Sequence, residues 1–246
     1  MEPEAFYDAL ADDYHLIFAD WERSIAHQAD VLSRLIGAQR RRVLDAACGI
    51  GTQAIGLVQK GYEVTATDIS AAAVARCARE AEARGLSLRT GVADLRELPA
   101  GGGFDAAIAL DNALPHLRTD AELAAACTSL RGVLAPDGLL CASIRDYDAL
   151  LAVRPPGELP RALGDRIVFQ AWAWHDDDAY TVRHFILTRD GDGWNVTERE
   201  TVYRALRRAD LTAALEAAGF AHVAWRMPDE TGFYQPVVTA LARFEG

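Results

Sequence analysis

The chain has 246 residues, half of them hydrophobic and a quarter charged, the balance of a globular protein able to bury a full core. Its 36 acidic residues outnumber 25 Lys and Arg, a formal charge of −11 that repels phosphate backbones and argues against nucleic acid as a partner. No apolar run approaches the roughly 20 residues a membrane-spanning helix needs. The acidic start Met1-Glu2-Pro3-Glu4 is unlike a signal peptide, so a cytoplasmic location and no membrane partner are expected. The four cysteines, Cys48, Cys77, Cys127 and Cys141, lack zinc-type spacing, and buried thiols with no metal are expected.

Taken in chain order, residues 4–36 place Phe6, Leu10, Tyr14, Ile17, Ile25, Leu32 and Leu35 at helical spacing, which predicts one or two helices closed by Gly37. From residue 42 short apolar strands alternate with amphipathic helices. Strands are predicted at 42–45, 63–67, 88–92, 104–110 and 139–144. Helices are predicted at 52–60, at 70–85 behind a Ser70 cap, and from Asp120 to Pro136-Asp137-Gly138. Repeated βα units specify an α/β fold, a doubly wound and mostly parallel sheet with helices on both faces.

The rhythm then breaks. Residues 148–208 show no clear helical pattern but three β-like runs, at 167–174, 180–188 and 194–205, read as an antiparallel meander inserted over the carboxyl edge of the sheet. His175-Asp176-Asp177-Asp178 reads as an acidic hairpin turn rather than a metal site. A helix capped by Asp210 and two closing strands, at 223–227 and 236–242, complete the chain. The expected divisions are an N-terminal helical segment 1–37, a core 38–148, the meander 149–208 and a C-terminal return 209–246.

The chemistry gathers at the strand ends. In Asp45-Ala46-Ala47-Cys48-Gly49-Ile50-Gly51-Thr52, the two glycines permit a tight turn and a close backbone approach before a helix. The glycines alone also suit a dinucleotide. Asp45 argues otherwise, because a carboxylate beside the turn repels phosphate and attracts an amine or a sulfonium. Asp68 follows the second strand and suits two ribose hydroxyls. Asp94 follows the third and suits a purine amino group, and Asp111 follows the fourth. Acids at four successive strand ends line the crevice where open parallel sheets bind ligands.

This ordered set resembles the class I S-adenosylmethionine-dependent methyltransferases over residues 40–145. The resemblance implies a seven-stranded Rossmann-like sheet and S-adenosyl-L-methionine as cofactor. Asp45, Ala47, Gly49, Gly51, Thr52 and Gln53 would lie along its methionine part, Asp68 and Ile69 at the ribose, Asp94 and Leu95 at the adenine, and Leu110 and Asp111 beside the amino group. A narrower similarity lies at both edges of the core. Tyr7, Tyr14, Phe18 and Trp21 look like the aromatic lid of the glycine, sarcosine and dimethylglycine N-methyltransferases. Ile144-Arg145-Asp146-Tyr147-Asp148 is similar to their Arg-Asn-Tyr-Asp segment, in which the Arg binds a substrate carboxylate. A guanidinium fork suits that role, while pairing of Arg145 with Asp148 or Asp111 is the structural alternative.

The expected substrate is a small molecule. Asn112, His116, Arg145 and Tyr147 are candidates to touch it, with Trp172, Trp174 and Tyr203 from the meander; Tyr14, His116 and Arg145 are the candidates for catalysis. A histidine near its ordinary pKa of about 6.5 suits proton removal, although a structural role is the commoner fate. Trp172 and Trp174 share a strand face and would either wall a flat ring or pack the insertion. Three activities remain open: transfer to the nitrogen of an amine or amino-acid-like metabolite, transfer to a ring carbon of an indole, and transfer to oxygen. A non-enzymatic binding module is the alternative of a different kind. Nothing in the pattern selects or excludes a homo-oligomer.

Overall fold

The computed structural model describes residues 1–99, 101–175 and 178–243. Helix α1 (Pro3–Leu10) and a 3-10 turn (Tyr14–Ile17) precede α2 (Trp21–Ile36), which Gly37 closes at φ 80°. The alternating segment forms β1 (Arg42–Asp45), α3 (Thr52–Gln59), β2 (Glu63–Asp68), α4 (Ala71–Ala83), β3 (Arg89–Val92), β4 (Phe104–Ala109), α5 (Asp120–Val133) and β5 (Leu134–Ser143). Ser70 caps α4 by accepting from the Ala73 N–H, as its sequence position predicts. For α5 the cap is Thr119, whose capping box with Glu122 puts Asp120 in the first turn.

The seven-stranded sheet has the order β10-β11-β5-β4-β1-β2-β3, where β10 is Phe220–Arg226 and β11 is Val237–Ala242. Strands β1 to β5 run parallel, and β11 pairs antiparallel with both β5 and β10. The strand order reverses between β1 and β4, which opens a crevice at their carboxyl ends. One face of the sheet is covered by α5 and α7 (Arg208–Ala217), the other by α2, α3 and α4. The helix α7 begins two residues before Asp210, with Arg207 at the cap position, so Asp210 is a first-turn acid rather than the cap. No described helix is long and apolar enough to cross a membrane.

The inserted segment holds more structure than its sequence pattern indicates. Helix α6 (Tyr147–Val153) starts where Asp146 accepts from the Ala149 N–H. The antiparallel sheet has four strands, in the order β6 (Gly157–Leu163), β7 (Arg166–Trp174), β8 (Ala179–Asp190) and β9 (Gly193–Arg204). Strand β6 escapes prediction because it contains Pro160, which cannot donate to a ladder. It is an edge strand whose register shifts between Glu158 and Arg161, where a proline is tolerated. The acidic turn predicted after Trp174 includes Asp176 and Asp177, which lie outside the described residues.

Both sheets share one core. Tyr180, Val182 and Tyr203 pack with Leu140, Ala142 and Ile144 of the larger sheet, so the meander is fixed to it rather than hinged. The N-terminal segment is clamped between them. Arg76 of α4 donates to the Ala11 and Asp12 carbonyls at 2.7 and 2.6 Å. From the other side, Arg166 and Arg199 reach the two oxygens of Asp13 at 3.4 and 3.1 Å. This clamp seats Tyr14 on Gly49, whose φ is +51° and where an added Cβ would stand 2.7 Å from the tyrosine ring. Gly49→Ala combines that clash with backbone strain, and a loss of about 1–3 kcal/mol is expected, measurable by urea unfolding.

Candidate active site

A cavity of about 290 Å³ opens at the carboxyl ends of β1 to β4, beneath α1 and the 3-10 turn. Twelve of the residues expected from sequence to face a cofactor line it: Tyr7, Tyr14, Ala47, Gly49, Thr52, Gln53, Asp68, Ile69, Asp94, Leu95, Leu110 and Asp111. Asp68 is held hard in place, accepting from the Gly49 N–H at 2.8 Å and the Ser70 N–H at 2.9 Å. Burial raises its pKa, against the pull of those donors. The carboxylate of Asp94 accepts from the Arg96 backbone at 2.8 Å and from its guanidinium at 2.6 Å, and this pairing lowers its pKa. Arg96 in turn reaches Glu122 at 2.9 Å.

Three expected members stand elsewhere. Asp45 does not line the cavity but is sealed beneath the glycine turn, 1% exposed. Its Oδ2 has no hydrogen-bond partner among the described residues. Burial, then repulsion from Asp68, raises its pKa well above the carboxylate range. Gly51 also lies behind the lining, where at φ +96° it lets α3 begin against Cys77, 2.7 Å from an added Cβ. Trp21 has turned to the outside of the turn: its Nε1 donates to Thr52 Oγ1 at 2.9 Å, while Arg76 and Arg84 cover its ring. Its role is to tie α2 to the start of α3. Sequence spacing cannot separate that position from a lid position.

A second cavity of about 960 Å³ lies between the N-terminal helices, α6 and the inner face of the antiparallel sheet. Three residues, Tyr7, Tyr14 and Asp111, line both cavities, so the two meet there. Asp111 accepts from Gln53 at 2.7 Å and from the hydroxyl of Tyr234. Its backbone and that of Asn112 both adopt positive φ, 54° and 70°, a strained pair of the kind that clusters at functional sites. Burial raises the pKa of Asp111, and it raises those of Tyr7 and Tyr14 well above the phenol value, so both tyrosines are neutral hydroxyls.

Of the residues expected to touch substrate, Asn112, Arg145, Trp172 and Tyr203 line the second cavity. Arg145 does not pair with Asp148 or Asp111. Asp148 binds Arg208, and Asp111 is engaged as above. Instead the Arg145 guanidinium reaches Tyr180 Oη at 2.9 Å, Gln170 Oε1 at 3.3 Å and the half-exposed Glu158 at 3.4 Å. It stacks on Trp172 and Tyr203, at 4.8 and 5.5 Å from the ring centroids. Asn112 Oδ1 accepts from the Arg145 backbone and from Tyr147 Oη, each at 3.0 Å. That fixes the carboxamide, and its buried Nδ2 has no partner among the described residues.

Four expectations need correction. Tyr147 is fully buried behind Asn112 and lines neither cavity. Trp174 is likewise withdrawn: its Nε1 donates to the Pro155 carbonyl at 2.8 Å and its ring stacks on Tyr180, which makes it packing rather than a wall. His116 lines the smaller cavity instead of the larger one. There it bonds Tyr7 Oη through Nε2 at 2.9 Å, and its ring lies against Tyr203 at 4.1 Å. Burial, aided by repulsion from Arg145, lowers its pKa to about 3, so it is no base for proton removal near neutrality. Sequence reading also missed Tyr234, Gln28 and Gln170. The first two lie in segments without a chemical motif, and only folding brings Gln28 to Gln53, 2.7 Å away.

With that geometry in place, comparison with known proteins is informative. Residues 43–138 match the family described as methyltransferase domain. A glycine/sarcosine N-methyltransferase of Parasynechococcus marenigrum is 36% identical over 135 residues, 54% of this chain and 48% of its own. The glycine N-methyltransferase of Rattus norvegicus is 32% identical over 181 residues, 63% of this chain and 59% of its own. The chain thus spans about half the length of the curated relatives it matches. Among solved structures, Streptomyces venezuelae DesVI superposes with a TM-score of 0.77 at 21% identity, covering 94% of this chain and 97% of its own. The sugar N-methyltransferase KedS8 of Streptoalloteichus sp ATCC 53650 gives 0.75 at 21%, covering 89% and 88%. These likenesses establish the fold.

The depressed basicity of His116 has a measurable consequence. An unfolded histidine titrates near 6.5 and the folded one near about 3, so protons favour the unfolded chain between those values. The contribution of His116 to stability is full above pH 6.5 and is lost as pH falls toward 3. Nuclear magnetic resonance should show no His116 titration between about pH 5 and 8, whereas a histidine at its ordinary pKa would change charge in that window. His116→Gln should flatten the acid limb of the stability curve.

Proposed function

We propose that the chain is an S-adenosylmethionine-dependent methyltransferase acting on the nitrogen of a small amine that carries a carboxylate. The observation that carries this reading is Arg145. Its side chain is 17% exposed against the larger cavity, with only the half-exposed Glu158, at 3.4 Å, as carboxylate partner among the described residues. A guanidinium cannot deprotonate, and withdrawing it from water without a close anion costs several kcal/mol. A substrate carboxylate offsets that cost, and Asn112 Nδ2 supplies a further donor beside it.

The residues of the smaller cavity fit the cofactor. Asp68 suits the ribose hydroxyls and Asp94, with Leu95, the adenine; Asp111 and Gln53 lie where the methionine end would meet the substrate. The acids lining the cavity disfavour a pyrophosphate. When bound, the cofactor supplies an electrophilic methyl group on a sulfonium. The chain supplies position and dryness. Tyr7 and Tyr14 close the junction against water, and their neutral hydroxyls leave Asp111 as the anion there, suited to accept a hydrogen bond from the amine and orient its lone pair. His116 holds Tyr7 and takes no proton.

Nitrogen as acceptor is favoured because the named relatives are N-methyltransferases, as is the fold neighbour KedS8. The indole reading loses one of its two walls with Trp174. Calorimetry should show S-adenosylmethionine binding, and a mass-spectrometric turnover screen should show methylated amines, strongest among those with carboxylates. Methylation at indole carbon, or none at nitrogen, would overturn the reading. Arg145→Ala should raise KM for a carboxylate amine about 10–100-fold, the worth of a charged hydrogen bond, with much less effect on an uncharged amine. Equal effects on both would remove Arg145 from the substrate.

A further inference from the structure

The larger cavity extends well beyond Arg145, and its far end contains a polar side chain that the proposed chemistry does not use. His184 on β8 is 1% exposed and lines this cavity. Neither ring nitrogen has a hydrogen-bond partner among the described residues. Each such buried polar atom costs about 1–3 kcal/mol, so two on one ring call for a compensating contact. Directly across the ladder His184 faces Gln170, whose Oε1 already receives Arg145 and the Trp172 indole. Arg145, Gln170 and His184 therefore form a row along the inner face of the sheet, from the carboxylate position inward.

Leu10, Ile17 and Val182 line the same cavity, with Arg161 among its polar residues. A cavity of about 960 Å³ is at the upper end of the range for small-molecule sites, far larger than a glycine-sized ligand needs. We propose, on the reading of the site given above, that the substrate is larger than a simple amino acid and carries a hydroxyl or carboxamide several atoms from its amine, which His184 recognises. A neutral polar group is favoured over a charged one at this end. Burial, then Arg199, lowers the His184 pKa to about 4, so the imidazole stays neutral near pH 7 and can both donate and accept. A carboxylate here would meet a neutral ring and two arginines already engaged, Arg161 by the Leu16 and Ile17 carbonyls and Arg199 by Asp13, while an ammonium would be repelled by both.

The test uses matched α-amino acids as probes: tyrosine against phenylalanine, and glutamine against glutamate. Binding is measured by calorimetry with S-adenosylhomocysteine present, and turnover by mass spectrometry. The intact protein should favour at least one neutral polar probe over its partner by about 10-fold or more. In His184→Leu that ratio should collapse to within about twofold, and His184→Gln, which keeps a donor and an acceptor, should restore part of it. Thermal unfolding of both variants identifies any that fail to fold, and the Gln variant still decides the matter if the Leu variant does. An unchanged ratio in a folded variant overturns the proposal and makes His184 a packing residue. So does a protein that binds S-adenosylmethionine but no probe, an outcome that leaves the methyltransferase reading standing. Loss of S-adenosylmethionine binding itself would overturn both.

Discussion

The seat of Tyr14 on Gly49 is the contact on which the rest of the site depends. With an alanine in the turn the ring could not lie where it does, and without the ring the two cavities would merge into an open cleft. The contact joins the most backbone-constrained turn of the core to a segment with little secondary structure of its own. Arginines from both sides hold that segment: Arg76 from α4, and Arg161, Arg166 and Arg199 from the antiparallel sheet. Most of these bonds go to backbone carbonyls or to one carboxylate, Asp13, so they fix position without requiring a large apolar interface.

Charge is distributed across the two cavities in a way that follows from their contents. The smaller cavity is lined by the acids Asp68, Asp94 and Asp111, and the larger presents the cations Arg145 and Arg161 together with Asp146 and Glu158. Asp111 and Arg145 are linked through Asn112, which follows the one in sequence and accepts from the backbone of the other. The aromatic groups Tyr180, Tyr203 and Trp172 around Arg145 keep it desolvated, which strengthens its attraction for an anion.

The insertion builds one wall of the larger cavity. Its inner face supplies Gln170, Trp172, Val182, His184 and Tyr203 to the larger cavity, whereas the smaller one is built almost wholly from the parallel sheet and the N-terminal segment. Curated relatives are matched over roughly half their length, and fold neighbours at 21% identity over most of this chain.

The parallel core was legible from the sequence because hydrophobic period and helix punctuation are local. Ser70, Gly37 and the strands before Asp45 and Asp68 follow from neighbours a few residues away, and so do the four acids at the strand ends. Strand β6 and helix α6 were not legible, since a proline inside a strand and a seven-residue helix both weaken the local signal. The sequence also brought Arg145 and Asn112 to one pocket, the larger cavity, because their positions follow directly from strand ends. It could not place Trp21, Asp45, His116, Tyr147 or Trp174, for which a rotation about one bond separates a cavity wall from a packed interior. Those orientations depend on contacts between residues far apart in the chain, such as Tyr7 with His116 and Trp174 with Pro155. Sequence alone therefore determined which chemistry is present and on which edge of the sheet. Tertiary packing decided which groups face the ligand, which are buried beneath it, and which protonation states they hold.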